Sequence, residues 1–228
     1  MDLSGDELGI VLLSLKVALT SVVFSLPPAI LVAYVLARGR FPGKMLLDAV
    51  VHLPLVLPPV VVGFALLTLF GKRGVIGSWL DAWFGIVFAF RWTGAALAAA
   101  IMGFPLMVRA IRLSFAAIDR RFETVARTLG GSPISVFLSV TLPLALPGVV
   151  TGVVLSFARS LGEFGATITF VSNIPGETQT LPLAIYTLTQ VPGGDGEAWR
   201  LSIIAVLLSL AALIAAEWLA RRPRGGGA

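Results

Sequence analysis

The chain has 228 residues, of which 57% are hydrophobic and only 13% are charged, and its mean hydropathy is +0.96. Soluble domains carry about 25% charged residues, so a soluble chain of this composition would have too few polar residues to cover its surface. The composition also excludes intrinsic disorder, and the absence of cysteine together with a single histidine excludes disulfide scaffolds and metal centres rich in Cys or His. The chain is therefore predicted to be an all-α integral membrane protein.

Five apolar runs are long enough to cross a bilayer, because a helix that spans the roughly 30 Å hydrocarbon core needs about 20 apolar residues. The runs are continuous, which favours helices over the alternating strands of a membrane barrel. A short acidic segment, residues 1–9, precedes the first run. The predicted spans cover about residues 10–37, 46–70, 92–116, 138–162 and 199–219.

Three shorter apolar segments lie between these spans. Residues 77–90 include Trp79 and Trp83 and are predicted to form an interfacial helix in the aromatic belt of the membrane. Residues 166–174 and 181–191 flank a Pro-Gly turn and are too short to span, so we expect a non-spanning excursion, with a partly re-entrant path left open.

Prolines recur inside the apolar runs and predict kinked helices. They are Pro27, Pro28, Pro54, Pro58, Pro59, Pro105, Pro143 and Pro147. The kinks are either simple packing features or parts of a pathway that opens and closes.

The distribution of basic residues predicts the orientation. Of the 17 basic residues, 11 lie in the loop 38–44, in residues 109–127 and in the tail 221–228, which five spans place on one side of the membrane. Cytoplasmic loops carry the excess of Lys and Arg, so residues 1–9 are predicted to be extracytoplasmic and the tail cytoplasmic. No nucleic-acid partner is expected, because the basic residues form short clusters between apolar runs.

The loop 119–137 is predicted to form a helix, a glycine turn and a second helix. Gly130 and Gly131 end the first helix, Ser132 is suited to cap the second, and Pro133 suits its first position. We expect Gly130 to have a positive φ.

This loop resembles the one shared by the permease subunits of ABC importers, with the pattern Glu-Ala-Ala…Gly…Ile-x-Leu-Pro. Val140 occupies the isoleucine position, whereas Thr124 occupies the glutamate position and Glu123 stands one residue early. The resemblance implies that the loop is the coupling helix that docks into a groove on a cytoplasmic ATPase. The candidate coupling residues are Glu123, Thr124, Ala126, Gly130, Gly131, Val140, Leu142 and Pro143.

Arg159 and Glu163 are four residues apart on one helix face and are predicted to pair. Charges at membrane depth usually face a cavity or the bundle interior. The pair is either a structural contact that orients its helix or a site where Arg159 helps an anion to pass.

The segment 158–186 is similar to that of molybdate ABC-transporter permeases, in the runs Ala-Arg-Ser-Leu-Gly-Glu-Phe-Gly, Asn-Ile-Pro-Gly and Thr-Gln-Thr-Leu-Pro. The resemblance covers roughly residues 10–217 and implies the type-1 ABC importer permease fold, with five transmembrane helices plus cytoplasmic coupling helices. The candidate pathway residues are Arg159, Glu163, Phe164, Asn173, Thr178 and Thr180.

The resemblance also implies the partners: a second copy of the chain, two cytoplasmic ABC ATPase subunits, an extracytoplasmic molybdate-binding protein and membrane lipid, in a bacterial inner membrane. The chain has no ATP-binding loop, so we expect no cofactor in it and no enzyme activity of its own, with ATP and Mg²⁺ used by the ATPase. No metal site is expected, and His52 is expected to be a packed polar residue.

The alternatives left open are a sulfate, thiosulfate or tungstate permease, an intramembrane enzyme and a free-standing channel. An intramembrane enzyme needs paired catalytic groups at membrane depth, for which the sequence offers only Arg159 with Glu163. A channel would leave the coupling loop without a role.

Overall fold

The computed structural model describes residues 5–221, except for the side chains of residues 216, 217 and 219–221. The first four residues and the predicted tail beyond residue 221 lie outside the described residues. Every regular element in the described range is helical. In chain order the elements are α1 (Gly5–Arg38), α2 (Lys44–Val56), α3 (Pro59–Phe70), α4 (Val75–Phe84), α5 (Trp92–Ala117), α6 (Arg120–Thr128), α7 (Pro133–Val136), a π-helical turn (Phe137–Thr141), α8 (Leu142–Leu161), α9 (Gly165–Val171), α10 (Leu181–Thr189) and α11 (Asp195–Arg221).

Within the described range, four helical stretches are long and apolar enough to cross a membrane, and a fifth span results if the bent pair α2–α3 crosses as one. The helices extend beyond the predicted spans. α1 begins at Gly5, inside the segment predicted to precede the first span. α7, the π-helical turn and α8 form one stretch, Pro133–Leu161, so the second half of the coupling loop continues directly into a spanning helix.

The centre of the bundle is made by α1, α5 and α8, which approach closely at small residues. A Cβ atom on Gly103 of α5 would collide with the Oγ atom of Ser156 on α8. The buried hydroxyl oxygens of Ser21 and Ser160 lie 3.0 Å apart and join α1 to α8. Small residues and interhelical hydrogen bonds are what membrane helices use to associate, since lipid removes the hydrophobic drive between them.

The predicted span 46–70 is not one helix. The chain bends by 112° between α2 and α3, at Leu57 and Pro58. Each of these residues precedes a proline, which disfavours helical backbone, and both adopt extended ψ angles of 142° and 133°. The span therefore breaks at the adjacent prolines Pro58 and Pro59, whereas the adjacent prolines Pro27 and Pro28 lie inside the unbroken helix α1.

The segment predicted as a non-spanning excursion forms two short helices, α9 and α10, of 7 and 9 residues. α9 packs on α3, where a Cβ atom on Gly63 would lie 2.5 Å from the carbonyl oxygen of Ala166. α10 is tied to α1 because the backbone N–H of Leu181 donates to Ser14 Oγ at 2.7 Å. Both helices are thus packed parts of the bundle and too short to span.

The predicted interfacial helix 77–90 is present as α4 but is shorter. It ends at Phe84 because Gly85 adopts a left-handed conformation, with φ of +64°. Trp79 and Trp83 are exposed on it, as an aromatic belt requires.

Candidate functional site

α6, which was predicted to be a coupling helix, presents an apolar surface on a polar loop. None of its residues is buried, and Asp119 caps it by accepting a hydrogen bond from the backbone N–H of Arg121 at 2.9 Å. Phe122 and Val125 on α6 are more than half exposed, and so is Leu129 just after it. An exposed apolar cluster with a polar rim is typical of a protein-docking surface.

The turn after α6 has the predicted geometry. Gly130 adopts φ of +90°, which confirms the expectation of a positive φ. Gly131 packs tightly, since a Cβ atom there would lie 2.8 Å from the carbonyl oxygen of Ala126. The Ser132 side chain accepts from the backbone N–H of Ser135 at 3.2 Å, and Pro133 is the first residue of α7, so both capping predictions are confirmed.

Glu123 attaches α6 to the membrane bundle rather than facing outward. Its Oε1 atom accepts a hydrogen bond from Arg38 Nη2 at 3.2 Å and another from Thr141 Oγ1 at 3.1 Å. The same Arg38 nitrogen also donates to the carbonyl oxygen of Ile118 at 3.0 Å. The carboxylate therefore joins three elements: the end of α1, the coupling helix and the π-helical turn.

Thr124, which occupies the family's glutamate position, makes no such link. Its hydroxyl donates to the carbonyl oxygen of Arg120 within the same helix, at 3.1 Å. The one-residue shift of Glu123 noted in the sequence thus places the carboxylate on the inner face of α6.

The remaining coupling candidates, Val140, Leu142 and Pro143, lie where the π-helical turn passes into α8. Leu142 donates its N–H to the carbonyl oxygen of Phe137, five residues earlier. Pro143 has no N–H to donate, and a π-helical turn is a common way of accommodating such an interruption. These residues shape the start of α8 rather than the docking surface.

Arg159 and Glu163 form the predicted ion pair, with 2.7 Å between Nη1 and Oε2. Glu163 is almost fully buried, and its Oε1 atom accepts from the backbone N–H of Ala166 at 2.8 Å, at the start of α9. The pair therefore fixes the junction between α8 and α9. The Arg159 side chain keeps 27% of its surface exposed.

Phe164 lies on a different feature, a cleft of about 670 Å³ between α10 and α11. Its ring contacts that of Tyr186 at an angle of 53°, with 5.2 Å between centroids. Pro182 and Ile185 line the same apolar cleft.

The polar pathway candidates after α9 are buried or half-buried. Thr178 is fully buried, accepts from the N–H of Ile174 at 2.8 Å and donates to the carbonyl oxygen of Ser172 at 3.2 Å. Asn173 donates to Thr187 Oγ1 at 2.6 Å, and Thr180 is buried at the start of α10. Thr178 thus holds its loop together and Asn173 ties the loop to α10, whereas Thr180 Oγ1 is buried without a hydrogen-bond partner among the described residues. These side chains do not form an exposed wall with Arg159.

Two charge contacts besides the Arg38–Glu123 pair were not predicted from the sequence. Arg112 Nη1 on α5 lies 2.6 Å from Asp48 Oδ1 on α2, and His52 Nδ1 lies 2.8 Å from the carbonyl oxygen of Asp48. Arg200 on α11 lies 3.0 Å from Glu7 on α1. The spacing of Asp48 and His52 by one helical turn was the available signal for the contact between these two residues. Arg112 is 64 residues away from Asp48, so sequence spacing gave no signal for that ion pair.

Residues 25–225 match the model of a protein family described as "Binding-protein-dependent transport system inner membrane component". The chain belongs to this family. It is thus a membrane permease component of transporters that use binding proteins.

Relatives that match over nearly the whole chain show which members of the family the permease resembles. The permease is 60% identical over 228 residues to the molybdenum transport system permease protein ModB of Escherichia coli K12, covering 99% of this chain and all of that protein. It is 56% identical over 216 residues to ModB of Haemophilus influenzae, covering 95% and 94%. Identity to the sulfate permease CysT of Escherichia coli is 42% over 161 residues, which cover 71% of this chain and 58% of that protein.

Solved structures show the same fold. A bacterial alginate ABC transporter in complex with its periplasmic protein superposes with a TM-score of 0.75 at 18% identity, covering 99% of the permease and 82% of that chain. The MetNI methionine ABC transporter in an inward-facing conformation superposes with a TM-score of 0.71 at 15% identity, covering 96% and 98%. The permease therefore has the type-1 ABC importer permease fold.

Proposed function

We propose that the permease forms the translocation pathway of an ATP-driven molybdate importer. The assignment of molybdate as the cargo rests on the 60% sequence identity to a molybdenum permease over essentially the whole of both chains. The similarity to a sulfate permease is lower and covers less of each chain, so sulfate is the weaker alternative.

The complex holds two copies of the permease, two cytoplasmic ATPase subunits and an extracytoplasmic molybdate-binding protein. The exposed apolar cluster of α6 supports a docked ATPase, because it would otherwise stay in water on a charged loop. ATP and Mg²⁺ are bound by the ATPase, since the permease sequence contains no ATP-binding loop.

The contacts of α6 indicate how closure of the ATPase subunits is transmitted to the membrane helices. When the ATPases close, they pull the coupling helices together. Glu123 transmits that movement to α1 through Arg38 and to the stretch Pro133–Leu161 through Thr141. The bundle then rocks between inward-open and outward-open states, and the anion leaves inward when the ATPases separate.

In the inner membrane the N-terminus lies outside and the C-terminus in the cytoplasm. The chain lacks cysteine, so single-cysteine labelling tests this orientation without background. Asp2→Cys and Ser78→Cys should react with a membrane-impermeant reagent in intact spheroplasts, and Gly131→Cys should not. Labelling of the Gly131→Cys variant from outside would overturn the topology.

Competition tests the cargo. In proteoliposomes that hold the permease, its ATPase and its binding protein, excess tungstate should suppress molybdate uptake, because both are tetrahedral dianions of similar size. If equimolar sulfate competes as well as tungstate, the assignment to molybdate is wrong.

A further inference from the structure

A charged cleft of about 590 Å³ lies between α2 and α5. Its polar lining consists of Asp48 and His52 on α2 and of Arg109 and Arg112 on α5. Arg112 is held by Asp48 at 2.6 Å, whereas Arg109, one helical turn earlier on the same face, makes no ion pair and no side-chain hydrogen bond within the part of the chain that the structure describes. The cleft thus contains one guanidinium without a compensating carboxylate.

The cleft lies within the length of the membrane-spanning helices. Arg109 is eight residues before the end of α5 at Ala117, a distance of about 12 Å along the helix axis. Asp48 and His52 are four and eight residues after the start of α2, or about 6 and 12 Å. In the proposed orientation, both distances are measured from the cytoplasmic ends.

Exposure shows that the permease's own helices do not cover these charges. Arg109 is exposed, and the side chains of Arg112 and Asp48 keep 33% and 37% of their surface. Ionised side chains at such a depth are costly against lipid and almost always face a water-filled cavity or the bundle interior. A face with these charges is suited to border an aqueous cavity in the assembled transporter.

We propose that Arg109 and Arg112, with His52 beside them, form an anion-binding station in the cytoplasmic half of the translocation pathway, where the tetrahedral oxyanion is held before release. This inference rests on the proposed function. A guanidinium presents several N–H donors in a rigid plane that matches oxyanion geometry. Asp48 fixes the direction of the Arg112 guanidinium and offsets its charge, so the station attracts a dianion without holding it too tightly to leave.

The test uses Arg109→Cys in the reconstituted complex with cysteine-free partner subunits. We expect this variant to lose at least fivefold in maximal molybdate uptake rate while ATP hydrolysis by the complex continues. Treatment with cationic aminoethyl methanethiosulfonate should restore most of the uptake, and neutral methyl methanethiosulfonate should not. Equal recovery with the neutral reagent, or uptake like wild type before treatment, would overturn the proposal.

Arg73→Cys is the matched control, because Arg73 is exposed in the loop between α3 and α4, outside the cleft. It should transport like wild type before and after both reagents.

A second readout does not need transport. The rate at which the cationic reagent modifies the Arg109→Cys variant should fall several-fold in millimolar molybdate or tungstate, and stay constant in millimolar chloride. Protection by an oxyanion would support the station even if wild-type uptake of molybdate failed, in which case the proposed cargo alone would be wrong. A rate unchanged by molybdate, tungstate and sulfate, or no reaction from the aqueous phase, would overturn the station.

Discussion

Replacing Glu123 by alanine is predicted to detach the coupling helix from the membrane bundle. The side chains of Arg38 and Glu123 are only 11% and 13% exposed, so the substitution leaves a mostly buried guanidinium without its carboxylate. Breaking a buried ion pair by removing one partner costs about 3–5 kcal/mol, and the residual exposure of both groups favours the lower end. A loss of about 3 kcal/mol reduces the equilibrium constant for attachment roughly 100-fold.

This loss of free energy affects the attachment of α6 more than the stability of the whole fold. No residue of α6 is buried, so few other contacts hold the helix against the bundle. The central helices α1, α5 and α8 keep their packing at Gly103 and Ser156, far from the substituted position along the chain. Glu123→Ala should therefore fold and insert, but its coupling helix should be mobile.

Hydrogen exchange measured by mass spectrometry on peptides that cover residues 120–128 checks this prediction. Exchange should be much faster in Glu123→Ala than in wild type, and ATP-driven uptake should fall with it. Glu123→Gln should be intermediate, because it can still accept from Thr141. Asp119→Asn is the control, since it removes a neighbouring carboxylate but keeps the helix cap. Equal exchange in wild type and Glu123→Ala would refute the reasoning.

Three further substitutions follow from the same geometry. Gly130→Val should cost roughly 1–2 kcal/mol or more, because Gly130 has a positive φ. It should weaken retention of the ATPase in a pull-down and abolish uptake, whereas the control Ser135→Ala should behave nearly like wild type. Wild-type transport by Gly130→Val would contradict the coupling-loop assignment. Arg159→Ala leaves the buried carboxylate of Glu163 without its ion-pair partner and should impair assembly or uptake. The effect should be far larger than that of Lys16→Met, which removes only a cation–π contact with Trp92 worth about 0.5–1 kcal/mol. Normal expression and uptake of Arg159→Ala would show that the pair is dispensable. Gly63→Ala should lower the melting temperature of the purified permease by pushing α3 away from Ala166, whereas Gly9→Ala, with open space around it, should not; equal melting temperatures would argue against that close approach.

The sequence predicts the helical spans well because apolar run length is a direct consequence of bilayer thickness. It does not predict that residues 46–70 break into two helices at 112°, since adjacent prolines in a membrane span are compatible with a kink or with a break. The chain shows both outcomes, because Pro27 and Pro28 lie inside an unbroken helix and Pro58 and Pro59 stand at a break.

The coupling loop was predictable where local geometry decides it. Gly130, Ser132 and Pro133 have conformations that follow from their own chemistry, and the structure has them as expected. The attachment of Glu123 to Arg38 and Thr141 is not local, because it joins residues 85 and 18 positions apart. Hydrogen-bond partners at such separations follow from the assembled bundle, not from sequence spacing.

The pathway candidates show the same limit. Polar residues in an apolar segment indicate either a transport path or internal hydrogen bonds, and spacing alone does not separate these possibilities. Thr178 is buried and bonded within its loop. The sequence places Arg109 and Arg112 at the cytoplasmic end of the predicted span 92–116, and α5 confirms that both are helical. The cleft that they line with α2 is not predictable from the sequence, because it depends on how α2 packs against α5.

Uptake of molybdate into proteoliposomes, with components omitted one at a time, tests the central claim most directly. The permease should import molybdate only when its ATPase, ATP and the binding protein are all present, and Glu123→Ala should reduce uptake without stopping ATP hydrolysis. Uptake that persists without the ATPase or without ATP would contradict the account, because the chain would then act as a channel rather than as an ATP-driven permease.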